Sequence, residues 1–258
     1  MPEAFHKADD DKATKLYGLI GYPLTHSFSK KYFEEKFKQL GLINCKFENF
    51  SIQSIDELNS ILTEHHATLK GLAVTIPYKQ QVLKLLNSSD DILLEMNACN
   101  CIKIDNGKLI GYNTDWKRYE KSFIPHLESK HKKALVLGNG GAAVAVCFVL
   151  KKLGIDYEIV SRRIHDGSFL TYTNLTENII REHTIIINTT PLGTFPAINQ
   201  FPLIPYSGIT KEHYLFDLVY NPEKTTFLQK GEEQGAAIKN GADMLAIQAE
   251  ENWKIWNS

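Results

Sequence analysis

Residues 134–150 are apolar almost throughout, with lysines at both ends and three glycines and Asn139 in the interior. A run like this has few ways to fold. As a membrane span it is marginal in length and would carry Asn139 and the glycines into lipid. In water it is satisfied by a buried strand, Ala134–Leu137, a tight glycine turn, and a packed helix, Ala142–Leu153. The turn, Gly138-Asn139-Gly140-Gly141-Ala142-Ala143, fits G-x-G-x-x-G/A with Ala143 in the third slot. Gly138 permits the sharp turn, and Gly140 lets the backbone approach a pyrophosphate. Ala143 is small enough for the helix to pack on the strand, and the helix N-terminus offers N–H groups to phosphates. A purely structural turn is the competing reading, and the strand-to-helix context favours a dinucleotide site.

The end of the next strand, Tyr157–Val160, bears on which dinucleotide. An NAD site usually carries Asp or Glu about 20 residues downstream of the glycines, accepting from the ribose 2′-hydroxyl. Ser161-Arg162-Arg163 stands there instead. Two guanidinium groups suit a 2′-phosphate and no carboxylate repels it. NADP is the expected cofactor, with a solvated basic turn as the plainer alternative.

The rest of the chain repeats the alternation of strand and helix. In the front part, Lys15–Gly21, Cys45–Ile52 and Leu69–Ile76 read as strands. Ser29–Leu40 reads as a helix, as does a segment capped by Ser54 with Glu57 completing a capping box, and Gln80–Leu86 as a short one. Asn106-Gly107 between two apolar runs predicts a hairpin of 100–104 and 108–112. A helix from Trp116 to about Leu127 leads into a charged candidate linker, Glu128–Lys133. After the glycine helix come Tyr157–Val160, a helix at Thr176–Arg181, strands Thr184–Asn188 and Tyr214–Val219, and a last helix, Met244–Trp256. This order predicts two α/β domains, the first with a mainly parallel sheet.

Bulk properties exclude several partners. With 29 Lys and Arg against 30 Asp and Glu, the net charge is -1, which argues against nucleic acid or a membrane surface. An anionic ligand must be held by local groups. Four cysteines in 258 residues, each in an apolar or strand-like segment, read as reduced thiols in the cytoplasm. Cys99 and Cys101 alone do not make a metal site, so none is expected. Residues 1–14 are polar and read as an extension outside the folded part.

Three polar segments lie where front-half strands end: His26-Ser27-Phe28-Ser29, Val74-Thr75-Ile76-Pro77-Tyr78-Lys79, and Gly111-Tyr112-Asn113-Thr114-Asp115. Singly, each has a plain explanation: Ser29 as a helix cap, Lys79 as a surface charge, Asp115 as a cap for the following helix. In order with the glycine turn they resemble the shikimate dehydrogenase family, from about Tyr17 to the C-terminus. Further matches are the segments 188–193 (Asn-Thr-Thr-Pro-Leu-Gly), 217–222 (Asp-Leu-Val-Tyr-Asn-Pro) and 241–248 (Gly-Ala-Asp-Met-Leu-Ala-Ile-Gln).

The resemblance implies reversible, NADPH-dependent reduction of 3-dehydroshikimate to shikimate, on the route to chorismate and the aromatic amino acids, by a monomer or homodimer. Lys79 and Asp115 would be the catalytic pair. Ser27 and Ser29 would bind the substrate carboxylate, Thr75, Asn100 and Gln248 the ring hydroxyls, and Tyr220 would add a substrate contact. On the cofactor side would stand Gly138, Asn139, Gly140, Gly141, Ala142, Ser161, Arg162, Arg163 and Thr189, with Gly241 near the nicotinamide. The family fold implies a substrate domain of 15–115 and 241–258, completed by C-terminal helices, around an NADP-binding Rossmann domain of 116–240. It also implies that a hinged cleft brings Lys79 opposite the nicotinamide.

The pattern is broken in places. Lys30 follows the second serine where the family usually has proline, and Ala73 stands for a common asparagine. Asn97-Ala98-Cys99-Asn100-Cys101 keeps the asparagine of the usual Gly-Ala-Val-Asn-Thr but loses its threonine. Asn139, Ser161, Arg163 and Thr194 also depart, which bears on cofactor affinity more than on chemistry. The competing functions are a quinate/shikimate dehydrogenase, with or without NAD preference, another two-domain dehydrogenase such as a folate-type one, and a non-catalytic ligand-binding relative.

Overall fold

The computed structural model describes residues 13–24, 28–163 and 170–258. The chain divides into two compact units, one running up to Thr114 and resuming over Gln248–Ser258, the other spanning Asp115–Ile247.

The first unit contains β1 (Lys15–Gly21), α1 (Phe28–Gln39), β2 (Cys45–Ser51), α2 (Leu58–Glu64) and β3 (Leu69–Val74). It continues with β4 (Ser88–Ser89), α3 (Asp91–Met96), β5 (Cys101–Asp105) and β6 (Lys108–Tyr112). The sheet order is β2-β1-β3-β5-β6-β4. β1 pairs with β2 and β3 in parallel, while β5 runs antiparallel to both β3 and β6. The turn between β5 and β6 has two consecutive left-handed residues, Asn106 (φ 49°) and Gly107 (φ 77°), as a tight hairpin requires. The capping box forms as read: Ser54 accepts from the Asp56 amide and the Glu57 carboxylate accepts from the Ser54 amide at 2.8 Å.

Side chains alternate across the sheet with period two. Leu16, Ile20, Leu72, Val74, Tyr78 and Ile102 pack on one face; Tyr17, Leu19, Phe33, Phe37, Ala73 and Trp256 pack on the other. Gly71 marks a close approach: a Cβ there would lie 2.2 Å from the Trp256 ring. The Trp256 indole N–H donates to the Ile102 carbonyl at 3.0 Å.

The second unit holds α4 (Asp115–Phe123), β7 (Lys133–Leu137), α5 (Gly141–Lys152), β8 (Asp156–Ser161), β9 (Leu170–Thr171) and α6 (Glu177–Glu182). β10 (Ile185–Asn188), β11 (Tyr214–Asp217), α7 (Thr226–Glu233) and β12 (Ala237–Asn240) follow. The last helix, α8 (Ala242–Trp256), begins in this unit and ends in the first. All pairs in the sheet are parallel, in the order β12-β11-β10-β7-β8-β9. The runs Ala134–Leu137, Ile185–Ile187 and Tyr214–Phe216 of its inner strands are apolar with no exposed surface, as a sheet covered on both faces demands. From β7 the chain winds first toward β9 and then back through β10 to β12. The switch between β7 and β10 opens the crevice at their carboxyl ends where ligands of such sheets bind.

Some elements differ from the sequence reading. The segment near Gln80–Leu86 is a 3-10 helix, Gln81–Leu85, and the helix expected to reach Leu127 ends at Phe123, ahead of a 3-10 turn containing Pro125. β4, α3, β9, α7 and β12 were not anticipated. No helix among the described residues is long and apolar enough to cross a membrane.

Candidate active site

In the second unit the glycine turn joins β7 to α5. Gly138 has φ +109°, and its N–H donates to the Val160 carbonyl at 2.8 Å. A Cβ at Gly138 would lie 2.8 Å from the Thr189 hydroxyl and 3.0 Å from Thr190 Cγ2, so only glycine suits the position. Gly140 caps α5 with extended backbone (φ -83°, ψ -176°) and no side-chain cap. A Cβ added at Gly140 or Gly141 meets nothing within 4 Å. Asn139, Gly140, Gly141 and Ala142 are exposed, whereas Ala143 is buried against the sheet. An uncapped helix start beneath open space fits a pyrophosphate.

At the end of β8, Ser161 is buried and its hydroxyl donates to the Arg163 carbonyl. Arg162 and Arg163 are exposed. Burial pushes the Tyr172 phenol up to about 12 while the nearby Arg162 charge opposes the shift. Positive charge thus stands at the end of β8, the point where a ribose 2′-substituent falls in sheets of this kind. These residues fit an NADP molecule.

Thr189 leaves β10 with its hydroxyl donating to the Leu137 carbonyl at 2.8 Å, which lays it against Gly138. Beside it lies a buried network absent from the sequence reading. Asp217 at the end of β11 is 0% exposed and accepts from Asn188 Nδ2 (2.9 Å), the Val219 amide (3.0 Å) and the Thr225 hydroxyl (2.6 Å). Tyr220 stands in the following loop, 48% exposed. Gly241 is buried against the same loop: a Cβ there would meet the Leu218 carbonyl at 2.6 Å.

In the first unit, Thr75 ends β3, its amide donating to the Ile20 carbonyl at 3.0 Å. Tyr78 anchors the next turn through its buried hydroxyl, which donates to the Ile52 carbonyl at 2.6 Å. That fixes the backbone of half-buried Lys79, whose carbonyl accepts from the Cys99 amide at 2.8 Å. Asn100 follows, and its carbonyl accepts from the Val74 amide at 2.9 Å, bringing Thr75, Lys79 and Asn100 to one end of β3 and β5.

The Asn100 side chain is the telling group. It is fully buried, and its Oδ1 accepts the Thr114 amide at 2.7 Å. A backbone N–H can only donate, so the oxygen is assigned by chemistry and Nδ2 points the other way. Nδ2 has no partner among the described residues. A buried amide donor without an acceptor costs roughly 1–3 kcal/mol, and a ligand hydroxyl would relieve it. The Thr114 hydroxyl also lies 2.9 Å from Asn252 Oδ1 on α8. Half-buried Gln248 is one turn before Asn252, on the same helix face.

Ser29 is the second residue of α1 and half-buried, so it is not the cap of that helix; Ser27 lies outside the described residues. Asp115 opens α4, one peptide bond beyond Thr114, with the Arg118 guanidinium 3.0 Å from its carboxylate. Sequence reasoning missed Arg118, Thr114 and Asn252. The signal for Arg118 was present, an arginine three residues after Asp115 on a helix, but nothing in the sequence marks Thr114 and Asn252 as neighbours.

A family model described as the shikimate dehydrogenase substrate binding domain matches residues 19–102. An NADP-dependent shikimate dehydrogenase of Methanococcus maripaludis is 35% identical over 265 residues, covering 95% of this chain and 92% of the relative. The chain belongs to the shikimate dehydrogenase family. Among solved structures, the shikimate dehydrogenase of Aquifex aeolicus superposes with TM-score 0.79 at 35% identity, covering 95% of this chain and 92% of that one. The Listeria monocytogenes enzyme, in complex with shikimate and NAD, gives TM-score 0.83 at 26% identity, covering 100% and 94%. Within this shikimate dehydrogenase family member, three departures noted in the first unit take structural places, one in a surface ion pair and two in the core. Lys30 pairs with Glu48 at 2.8 Å, joining α1 to β2, and Ala73 and Cys101 are buried in the core.

Proposed function

We propose that this chain is a shikimate dehydrogenase that reduces 3-dehydroshikimate to shikimate with NADPH, reversibly. The observation that carries the reading is the fully buried Asn100 amide, whose donor has no partner among the described residues and which lies beside Thr75 and Lys79. A polyhydroxylated ring supplies the acceptors that this site lacks, and an analogue without them leaves the amide unpaired.

In this reading Thr75, Asn100 and Gln248 hold the ring hydroxyls, Ser27 and Ser29 the carboxylate, and Tyr220 adds a further contact. Lys79 and Asp115 handle the proton: in the reductive direction the Lys79 ammonium protonates the developing alkoxide, and in the oxidative direction its amine accepts that proton. The glycine turn at 138–142 holds the pyrophosphate, Arg162 with Ser161 and Arg163 the 2′-phosphate, and Thr189 and Gly241 border the nicotinamide. When bound, NADPH supplies the hydride that turns the ketone into a secondary alcohol. The protein works in the cytoplasm as a monomer or homodimer, in the synthesis of chorismate and aromatic amino acids, without a nucleic-acid partner.

The test is a steady-state assay of purified protein with shikimate and quinate, each against NADP and NAD. Turnover concentrated in the shikimate and NADP combination supports the proposal. A preference for quinate or NAD replaces it with the broader reading, and no turnover in any combination replaces it with a non-catalytic one.

A further inference from the structure

Asp217 takes part in no step described above, yet it is a carboxylate with no exposed surface. Burying such a group is costly unless its oxygens are well supplied with donors. Its position gives it a task. It sits at the carboxyl end of β11, beside the end of β10, where two functional loops leave the sheet.

One oxygen serves both loops. Oδ1 accepts the Val219 amide at 3.0 Å, fixing the start of the segment that carries Tyr220. The same oxygen accepts Asn188 Nδ2 at 2.9 Å. Asn188 Oδ1 in turn accepts the Thr190 amide at 3.0 Å and the Thr190 hydroxyl at 2.6 Å, which holds the Thr189–Thr190 corner against Gly138. The other oxygen, Oδ2, accepts the Thr225 hydroxyl at 2.6 Å, and Thr225 caps α7 by accepting the Leu228 amide at 3.4 Å. The Tyr220 segment is therefore tied to Asp217 at both ends, and the cofactor-side corner is tied to it through Asn188.

We propose that Asp217 is a positioning residue whose carboxylate sets two loops together, the one presenting Tyr220 to substrate and the one laying Thr189 and Thr190 against the glycine turn. The inference rests on the functional reading above. It also makes a division of labour: ties through Oδ1 govern both ligands, whereas the tie through Oδ2 governs the Tyr220 loop alone.

The experiment compares Asp217→Ala, Asp217→Asn and Thr225→Val with the unmodified protein. It measures the NADPH dissociation constant by fluorescence titration without shikimate, kcat and the shikimate KM, and amide hydrogen exchange over 188–192 and 218–222. Losing hydrogen bonds to a charged acceptor corresponds to about a 10-fold change or more. Asp217→Ala is expected to raise both the NADPH dissociation constant and the shikimate KM by about that factor, with faster exchange in both segments. Asp217→Asn keeps an acceptor oxygen for Val219 and Asn188 and is expected to recover most of the loss. Thr225→Val is expected to raise the shikimate KM and leave NADPH binding alone.

Asp217→Ala protein that melts earlier but keeps both constants would overturn the proposal, because a purely structural carboxylate behaves that way. Thr225→Val protein that weakens NADPH as much as shikimate would overturn it too. If Asp217→Ala does not fold, Asp217→Asn and Thr225→Val still decide, since near-normal constants in Asp217→Asn are required. If the unmodified protein binds no NADPH and turns over no shikimate, the functional reading falls. Hydrogen exchange in the two segments then decides the positioning role by itself.

Discussion

Gly140 separates a ligand requirement from a folding requirement. Its backbone is extended, with φ -83°, which any residue adopts, and a Cβ there meets nothing within 4 Å. Alanine is a poorer helix N-cap than glycine, by about 0.5–1 kcal/mol. It also restricts the unfolded chain, which returns about 0.4–1 kcal/mol. The two effects nearly cancel, so Gly140→Ala should change stability by less than about 0.5 kcal/mol. Under the proposed function a bound pyrophosphate would feel the methyl differently, because its oxygens would approach the start of α5 through the open space over Gly140. Displacing them forfeits at least about 2 kcal/mol of charge-assisted hydrogen bonding, or roughly 30-fold in affinity. Gly138→Ala is the contrast: at φ +109°, with Thr189 Oγ1 2.8 Å from the new Cβ, it strains the fold itself. The assay pairs urea unfolding with NADPH fluorescence titration for both variants. Gly140→Ala protein that binds NADPH within about 2-fold of the unmodified protein would refute the argument, as would unfolding as easily as Gly138→Ala.

Three further outcomes are expected. Arg162→Ala should weaken NADPH far more than NADH, since only NADPH carries the 2′-phosphate; equal losses would remove Arg162 from that role. Gly71→Ala should cost about 2–4 kcal/mol in urea unfolding, because the new Cβ would lie 2.2 Å from the Trp256 ring and displace its hydrogen bond to Ile102; a stability change near zero would show that the ring moves freely. Burial pushes the Asp217 carboxyl from 3.8 up to about 6, so the native state holds a proton that the unfolded chain releases. That contribution is complete below the unfolded value and lost as pH rises through about 6, a span of about 3 kcal/mol. Asp217→Asn should therefore gain stability relative to the unmodified protein between about pH 4 and about pH 7, and a pH-independent difference would contradict this.

What the sequence revealed follows physical lines. β1 is bounded as read, Lys15–Gly21, because a run buried on both faces leaves a continuous apolar signature. Asn106-Gly107 and Ser54 with Glu57 were legible because local backbone geometry demands those residue types. Elements held by tertiary contacts were not. α3 has six residues, too few to establish a helical period, though Asp90 caps it and Asn97 ends it in the left-handed region. β12 is an edge strand of Ala-Ile-Lys-Asn with no fully buried side chain, so it shows no apolar run. In the sites, the glycine turn was readable from its spacing together with the strand before it and the helix after it. The partnership of Asn188, Asp217 and Thr225 was not, because Asn188 is 29 residues from Asp217 and only the parallel pairing of β10 with β11 makes them neighbours. The motifs containing Asn188 and Asp217 were visible, but their roles lie in the register.

The account turns on Lys79 moving the proton while the glycine turn holds the cofactor. Its most direct measurement is kcat for shikimate oxidation by Lys79→Ala, read from the absorbance of the reduced nicotinamide, alongside the NADPH dissociation constant of the same protein. The account predicts a fall in kcat of about 100-fold or more with cofactor affinity nearly unchanged. Turnover like that of the unmodified protein, with NADPH bound equally well, would contradict it.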